Sequence, residues 1–193
     1  MNLAVIILAG GEGRRIGGAK PLRVLAGKTL IDHAEHLARQ WSDKLASAVR
    51  DPSQVGGSSL QCIADRPGID GPLAGLAAAL DFAVSIRCDA VLTIPADMPF
   101  LPRDLDRQLT QRLGAERAAI ASSGGRLHPV CGIWRLSARD ELAAYAAAGR
   151  RSLKGFAEVV GFKAVEWSDT PLDPFFNINS AEDLETAERL LES

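Results

Sequence analysis

The side chains best suited to chemistry lie near the N-terminus, in a basic, glycine-rich segment that follows the apolar run Leu3 to Leu8. Residues 9–20 contain five glycines, two arginines and one lysine. Glycine allows backbone N–H groups to approach phosphate oxygens closely, and Arg14, Arg15 and Lys20 supply positive charge. The segment therefore predicts a loop that binds a triphosphate or a departing pyrophosphate.

Three better-known phosphate loops do not fit this segment. A Walker A loop requires Ser or Thr after its lysine, but Pro21 follows Lys20. The dinucleotide fingerprint and the kinase Gly-rich loop both require a sixth-place glycine, and counting from Gly11 that place is Ile16. The loop consequently belongs to another class of nucleotide-binding protein.

Two aspartates follow apolar runs and are candidates for the same chemistry. Asp97 stands between Pro95 and Pro99, which restrict the backbone and direct the carboxylate outward. Mg²⁺ typically takes one or two protein carboxylates together with substrate phosphates, so Asp97 is predicted to be a magnesium ligand rather than a simple turn cap. Asp65 fits two interpretations equally, a nucleotide contact and the end of a strand.

Short apolar runs alternate with helical patterns along the chain, which predicts an α/β fold with a largely parallel sheet. The predicted strands are residues 3–8, 45–49, 60–64, 90–94, 118–121 and 130–134. The predicted helices are residues 30–41, 72–85, 103–113, 138–148 and a last helix after residue 180. Thr29 with Asp32, and Ser180 with Asp183, have the spacing of N-terminal capping boxes.

The order of these elements predicts a single ligand site. Open α/β sheets bind ligands beyond the carboxyl ends of their strands, where the loop after Leu8, Asp65 and Asp97 should meet. The helix that starts at Pro72 adds free N–H groups, which favour anions.

Composition predicts a compact enzyme in a reducing compartment. The chain has 193 residues, of which 47% are hydrophobic, and we expect one domain over residues 1–193. A net charge of −2 offers no general attraction for nucleic acid or an anionic membrane. Three widely spaced cysteines predict neither disulfides nor a zinc site, and no apolar stretch approaches the ~20 residues of a membrane span. We therefore expect a cytoplasmic protein.

Several motifs, spread over nearly the whole chain, carry a family resemblance. They are Leu8-Ala9-Gly10-Gly11 with Arg15, Gly17, Gly18 and Lys20; Asp65 before Gly71-Pro72-Leu73-Ala74-Gly75; Pro95-Ala96-Asp97-Met98-Pro99; His128-Pro129-Val130; and Phe176-Asn177-Ile178-Asn179. In this set the chain resembles the nucleotidyltransferases that activate small molecules with nucleoside triphosphates, most closely the molybdenum cofactor guanylyltransferases. It departs from their pattern at Ala19, where Asp is common, and at residues 48–50, where Asn is frequent.

The resemblance implies a three-layer, Rossmann-like nucleotidyltransferase fold and the transfer of GMP from GTP to the terminal phosphate of molybdenum-loaded molybdopterin. The implied partners are these two substrates, with transient contacts to proteins that insert or deliver the cofactor. The expected nucleotide-binding residues are Leu8, Ala9, Gly10, Gly11, Lys20, Asp65 and Asp97. The expected catalytic residues are Lys20, Arg15 and Asp97, with Mg²⁺ on Asp97.

This chemistry requires no activated protein nucleophile. A phosphate monoester, with a second pKa of about 6, is already largely ionised at neutral pH. Lys20, Arg15 and the loop N–H groups need only stabilise charge on the departing pyrophosphate. A cytidylyl- or sugar-nucleotidyltransferase is the nearest alternative. A catalytically silent adaptor is the other, although Lys20 and Asp97 argue against it.

The remaining candidates each have two interpretations. His33 and His36 have the spacing of a helical metal pair, but solvent-facing histidines are the commoner explanation. His128-Pro129 borders the acceptor pocket or starts an edge strand. Arg150 and Arg151 bind an acceptor phosphate or stabilise a helix C-terminus. Asn177 and Asn179 are expected on a short strand, one facing the site and the other satisfying backbone groups.

Overall fold

The structure is a computed structural model, and it describes residues 1–10 and 20–192. Its strands are β1 Leu3–Leu8, β2 Val24–Leu25, β3 Lys28–Thr29, β4 Leu45–Val49, β5 Gln61–Ala64, β6 Ala90–Pro95, β7 Ala118–Ser123, β8 Arg126–Arg135 and β9 Phe162–Trp167. Its helices are α1 Leu30–Ala38, α2 Pro72–Ser85, α3 Leu105–Arg112, α4 Arg139–Ala147, α5 Leu153–Val160 and α6 Ala181–Glu192. None of the described helices is long and apolar enough to cross a membrane.

Seven strands form one sheet in the order β5-β4-β1-β6-β8-β7-β9, and β2 pairs with β3 in a separate hairpin. The strands β5, β4, β1 and β6 are mutually parallel. Strand β8 runs antiparallel to both of its neighbours, and β9 is parallel to β7. The predicted α/β fold with a mostly parallel sheet is therefore confirmed.

The side chains of β1 alternate between two apolar clusters, and this alternation explains why helices cover both faces of the sheet. Val5 and Ile7 are fully buried against a cluster that includes α1 and α3, whereas Ala4 and Ile6 are fully buried against α2, α4 and α5. Successive side chains of a strand point to opposite faces, so a continuous apolar strand requires cover on both sides. The predicted three-layer arrangement is the result.

The register of β1 with β6 places the candidate loops next to each other. Leu8 pairs with Pro95, and the Ala96 N–H donates to the Leu8 carbonyl over 3.3 Å. Because the two strands are parallel, their carboxyl ends open at the same edge of the sheet. The glycine-rich segment and Asp97 therefore start side by side.

Local sequence signals set the helix starts correctly. The capping box at Thr29 and Asp32 is present, with the Asp32 N–H donating to Thr29 Oγ1 over 3.2 Å. The Ser180 N–H donates to Asp183 Oδ2 over 2.8 Å, and the Asp183 N–H returns to Ser180 Oγ. Helix α2 begins at Pro72, as expected for a proline in the first turn.

The sequence analysis did not predict helix α5, strand β9 or the β2-β3 hairpin. Helix α5 is only eight residues long, and Val165 is the one fully buried residue of the edge strand β9. Elements this short have weak periodic signals, and tertiary packing rather than intrinsic propensity stabilises them.

Candidate functional site

Lys20 lies at the centre of the site, at the start of a short 3₁₀ helix, Lys20–Leu22, beyond the end of β1. Its ammonium forms an ion pair with Asp97 Oδ2. It also donates to Asn177 Oδ1 over 3.2 Å and to Asn179 Oδ1 over 2.8 Å. A lysine ammonium has three donors, so these three oxygens satisfy it completely. The side chain is only 12% exposed, and the charge is therefore held in a fixed position.

The two asparagines correct the prediction that only one would face the site. Residues 176–179 belong to neither a helix nor a strand, so the side-to-side alternation of a strand does not apply to them. Asn177 and Asn179 both face Lys20, while Ile178 between them is fully buried with Leu25 and Leu30. Burial of such a side chain contributes about 1.5–3 kcal/mol, so Ile178 fixes this orientation.

Asp97 is positioned by backbone on both sides. It follows the end of β6, and its carbonyl accepts the Ile178 N–H over 3.0 Å. One carboxylate oxygen faces Lys20, and the other, Oδ1, is buried and has no hydrogen-bond partner among residues 1–10 and 20–192. A buried carboxylate oxygen without a donor is suited to a cation.

A magnesium ion fits this donor set on chemical grounds. Mg²⁺ is commonly held by one or two carboxylates together with substrate phosphates and water, rather than by a cage of protein ligands. Within the described residues, no group of three or more His, Cys, Asp or Glu side chains could hold a metal. Asp97 is therefore the described side chain that would hold the ion, with phosphates completing its shell.

A cavity of about 360 Å³ opens beside Asp97, between the carboxyl ends of β1, β4 and β6 and the start of α2. Its described lining includes Leu8, Gly10, Arg50, Asp65, Asp97 and Asn177. A smaller cavity of about 60 Å³ adjoins it and is lined by Ala9, Lys20 and Asp97, among others. The predicted residues Leu8, Ala9, Gly10, Lys20, Asp65 and Asp97 are thus brought together. Gly11 and Arg15 lie outside the described residues.

Asp65 is half-buried in the wall of the larger cavity. Burial raises the pKa of its carboxyl group, and the nearby Arg50 guanidinium lowers it to a smaller extent. A Cβ on Gly10 would lie 2.8 Å from Asp65 Oδ2, and one on Gly75 would lie 3.5 Å from Oδ1. Gly10 therefore makes room for this carboxylate, whereas a Cβ on Gly75 would meet it only at an ordinary contact distance.

The start of α2 forms the opposite wall. Gly71 has a φ of 69°, in the left-handed region that favours glycine, and its residue type supplies no side-chain cap for the helix. Pro72 has no N–H, and the Ala74 N–H in the first turn of α2 donates to the Gly71 carbonyl over 3.0 Å. Asp70 and Arg66 in the preceding loop form ion pairs with Arg151 and Asp81, respectively.

His33, Arg150 and Arg151 contact other parts of the protein. His33 is not solvent-facing: it is half-buried, and its Nε2 lies 2.8 Å from the Leu25 carbonyl oxygen. Arg151 pairs with Asp70 on the surface, and the Arg150 guanidinium lies 4.8 Å from the centre of the Tyr145 ring.

His128 is buried on β8, where the register against β7 shifts between Ile120 and Ala121. The shift leaves residues 129–131 as a bulge, and Val130 in this bulge lines the larger cavity. Strand β8 begins at Arg126 and lies between β6 and β7, so the interpretation that Pro129 starts an edge strand is wrong, and a border on the acceptor pocket stays a prediction for the His128-Pro129 motif. His128 itself is buried and is not open to a ligand.

Sequence reasoning missed Arg50, the pairing of both asparagines with Lys20, and the contacts of His128 with Ser123. The position of Arg50 directly after a predicted strand could have identified it. The sequence also shows that Asn177 and Asn179 flank an apolar residue, which could have indicated that both asparagines face the same side. The contacts of His128 had no local signal.

Comparisons with known proteins agree with this geometry. The family model described as the MobA-like NTP transferase domain matches residues 5–160. A molybdenum cofactor guanylyltransferase of Bradyrhizobium sp. (strain ORS 278) is 43% identical, covering 96% of this chain and 91% of the relative.

Solved structures show the same fold. Molybdopterin-guanine dinucleotide biosynthesis protein A from Archaeoglobus fulgidus has a TM-score of 0.79 and 27% identity, with 98% of each chain covered. A 4-diphosphocytidyl-2C-methyl-D-erythritol synthase from Anaerococcus prevotii shares the fold, with a TM-score of 0.77, 13% identity and coverage of 100% of this chain and 96% of its own. The extent of the family match and the identity to the Bradyrhizobium relative show that the chain belongs to the MobA-like NTP transferase family of nucleotidyltransferases.

Proposed function

We propose that this protein transfers GMP from GTP to the terminal phosphate of molybdenum-loaded molybdopterin, with release of pyrophosphate. The contact that supports the proposal best is the Lys20–Asp97 ion pair, since Asp97 lines both cavities and Lys20 lines the smaller one. It places a cation for a leaving group beside a carboxylate for a metal. The name of the Bradyrhizobium relative supplies the guanylyl group and the acceptor class.

Lys20 would neutralise the pyrophosphate as it departs. Its ammonium is held by Asp97, Asn177 and Asn179, so its positive charge is already in place when negative charge develops on the pyrophosphate. Fixed charges of this kind stabilise a transition state more than mobile ones. Arg15 and the loop N–H groups would add charge stabilisation.

Asp97 would hold Mg²⁺ through the buried oxygen Oδ1. When bound, the ion supplies positive charge to the substrate phosphates and favours their alignment. Neither substrate requires deprotonation by a protein base, because the acceptor phosphate is ionised at neutral pH. The described residues then act by binding and orientation.

The larger cavity would hold the nucleoside part of GTP. Leu8 and Gly10 line one wall, and the Asp65 carboxylate offers acceptors for N–H or O–H donors of the base or ribose. Gly11 is proposed to continue this contact. Arg50 moderates the cost of burying Asp65 in the absence of substrate.

The proposal extends to the setting of the reaction. The acceptor is assigned by the relatives' names rather than by a contact, and transient contacts with proteins that insert or deliver the cofactor belong to the same proposal. A cytoplasmic location and the absence of nucleic-acid or membrane partners complete it.

The test is an incubation of the protein with Mg²⁺, molybdenum-loaded molybdopterin and each nucleoside triphosphate in turn, with the dinucleotide product identified by mass. We expect the guanine dinucleotide with GTP and no product with Asp97→Asn. A cytosine dinucleotide would assign the protein to the cytidylyltransferases. Nucleotide binding without any product would support an adaptor.

A further inference from the structure

A buried row of polar groups lies at the same edge of the sheet, outside the residues assigned to nucleotide binding. Ser123 at the end of β7 is 3% exposed, and its Oγ lies 2.8 Å from Nε2 of His128, which is 7% exposed. Ser123 Oγ also donates to Asp173 Oδ1 over 2.9 Å. The same carboxylate oxygen accepts the Phe175 N–H over 2.9 Å.

The direction of these hydrogen bonds is fixed by the carboxylate. A carboxylate only accepts, so the one hydroxyl proton of Ser123 goes to Asp173, and Ser123 must accept from His128 Nε2–H. Burial lowers the pKa of His128, and Arg126 lowers it further, while Asp173 and Glu166 oppose both effects. Whichever protonation state the ring has, the Ser123 hydroxyl can accept from it only if Nε2 carries a proton.

Ser123, His128 and Asp173 are the residue types of a hydrolytic triad, but the serine donates its hydrogen bond in the wrong direction for one. A nucleophilic serine donates its proton to the histidine, whereas Ser123 donates to Asp173 and accepts from His128. The group therefore has a structural effect on Asp173 and on the chain that follows it.

That following chain carries Asn177 and Asn179. The His128 ring stacks on Phe175 with a centroid separation of 4.6 Å and an interplanar angle of 14°. Two residues further along, Asn177 accepts from Lys20, and next to it the Ile178 N–H donates to the Asp97 carbonyl. Residues 173–175 thus anchor the segment just before it reaches the site.

We propose that His128 is a positioning residue that acts through Ser123, Asp173 and Phe175. It fixes the start of residues 173–179 so that the amide oxygens of Asn177 and Asn179 both accept from Lys20. The kinetic consequence rests on the proposed function, but the geometric one does not. A small misplacement of a charged group can cost as much as ~100-fold in rate, so a defect in kcat is expected with little change in GTP affinity.

Two substitutions at His128 distinguish the effect of the aromatic ring from the effect of its N–H donor. His128→Phe keeps an aromatic ring to stack on Phe175 and removes the N–H donor, whereas His128→Gln keeps a donor at a similar reach and removes the ring. Tyr145→Phe is the matched control, because it loses one hydrogen bond, from Tyr145 Oη to the Ser152 carbonyl over 3.0 Å, on another part of the fold. Ser123→Ala is the second route, should His128→Phe fail to fold.

Amide hydrogen exchange tests the geometry without reference to activity. In His128→Phe and Ser123→Ala we expect faster exchange at the Phe175 and Ile178 amides, by about 10-fold or more, as in local opening of a segment. Exchange in β1 should not change, and neither should these two amides in Tyr145→Phe. Unchanged exchange at Phe175 and Ile178 in both variants would overturn the proposal.

A double-mutant cycle on kcat tests the route of the effect. In the wild-type background, His128→Phe should lower kcat by about 10-fold or more. If His128 acts through the asparagines, the same substitution should lower kcat by less than about 2-fold in the Asn179→Ala background. His128→Gln should recover most of the rate. Additive effects would contradict the positioning role, and equal losses in the Phe and Gln variants would contradict its assignment to the Nε2–H donor. Faster exchange in a protein that transfers no nucleotide would retain this role and reject the proposed function.

Discussion

Gly10 and Asp65 approach each other so closely that no side chain fits between them. A Cβ on Gly10 would lie 2.8 Å from Asp65 Oδ2, although 55 positions separate the two in the sequence. A Cβ on Gly75 would instead lie 2.9 Å from Leu8 Cδ2 and at an ordinary distance of 3.5 Å from Asp65 Oδ1. A glycine at position 10 is therefore a requirement of the site and not only of the loop backbone.

Gly10→Ala should weaken GTP binding by about 10-fold, because the Asp65 carboxylate must move from its place in the cavity wall. Isothermal titration with GTP measures the effect. Gly56→Ala is the control, since its Cβ would meet neighbours only at ordinary distances of 3.5 Å or more. Equal GTP affinities for Gly10→Ala and the control would contradict the assigned role of Asp65.

Asp65→Asn should stabilise the ligand-free protein at pH 7 while weakening GTP binding. Burial raises the pKa of Asp65, so the charged form costs folding free energy above that pKa. Between the unfolded and the raised folded pKa the native state binds more protons, and this group's contribution to stability falls as pH rises. Thermal unfolding from pH 4 to 7 should show a smaller loss of this kind in the variant. A variant that unfolds at a lower temperature at pH 7 would contradict the burial argument.

Asp97→Asn should leave a folded protein whose transfer rate is reduced by more than ~100-fold, in keeping with the loss of electrostatic stabilisation in a transition state. The change is nearly isosteric but removes the charge that pairs with Lys20 and would hold Mg²⁺. Product formation at saturating Mg²⁺ measures it, with the exposed Asp140→Asn as a control. Wild-type turnover in Asp97→Asn would reject the metal assignment.

Lys20→Ala should lower kcat by roughly 10- to 1,000-fold and change GTP affinity less, because an interaction realised mainly in the transition state affects kcat. The ammonium is held by three oxygens before substrate arrives, which favours this outcome. Steady-state kinetics together with an equilibrium GTP titration on the same variant would decide. An unchanged kcat with abolished GTP binding would make Lys20 an anchor instead of a catalyst.

Local sequence determined much of the fold. Capping boxes at Thr29 and Ser180, the proline that starts α2, and apolar runs such as Leu3–Leu8 each act within a few residues. The bounds of β1, β4 and α2 were predicted without error for this reason. The rule that open α/β sheets bind ligands beyond the carboxyl ends of their strands then grouped Leu8, Asp65 and Asp97, which line one cavity in the structure.

The tertiary structure alone decided the contacts of the site. Lys20 meets Asn177 and Asn179 across 157 and 159 positions of sequence, and Asp173 meets Ser123 across 50. Nothing local encodes such pairs, because they depend on the burial of Ile178 and on the bulge in β8. The sequence by itself determined which side chains reach the carboxyl edge of the sheet. Packing on that edge determined which of them touch, since a contact between distant residues depends on the register and burial of every element between them.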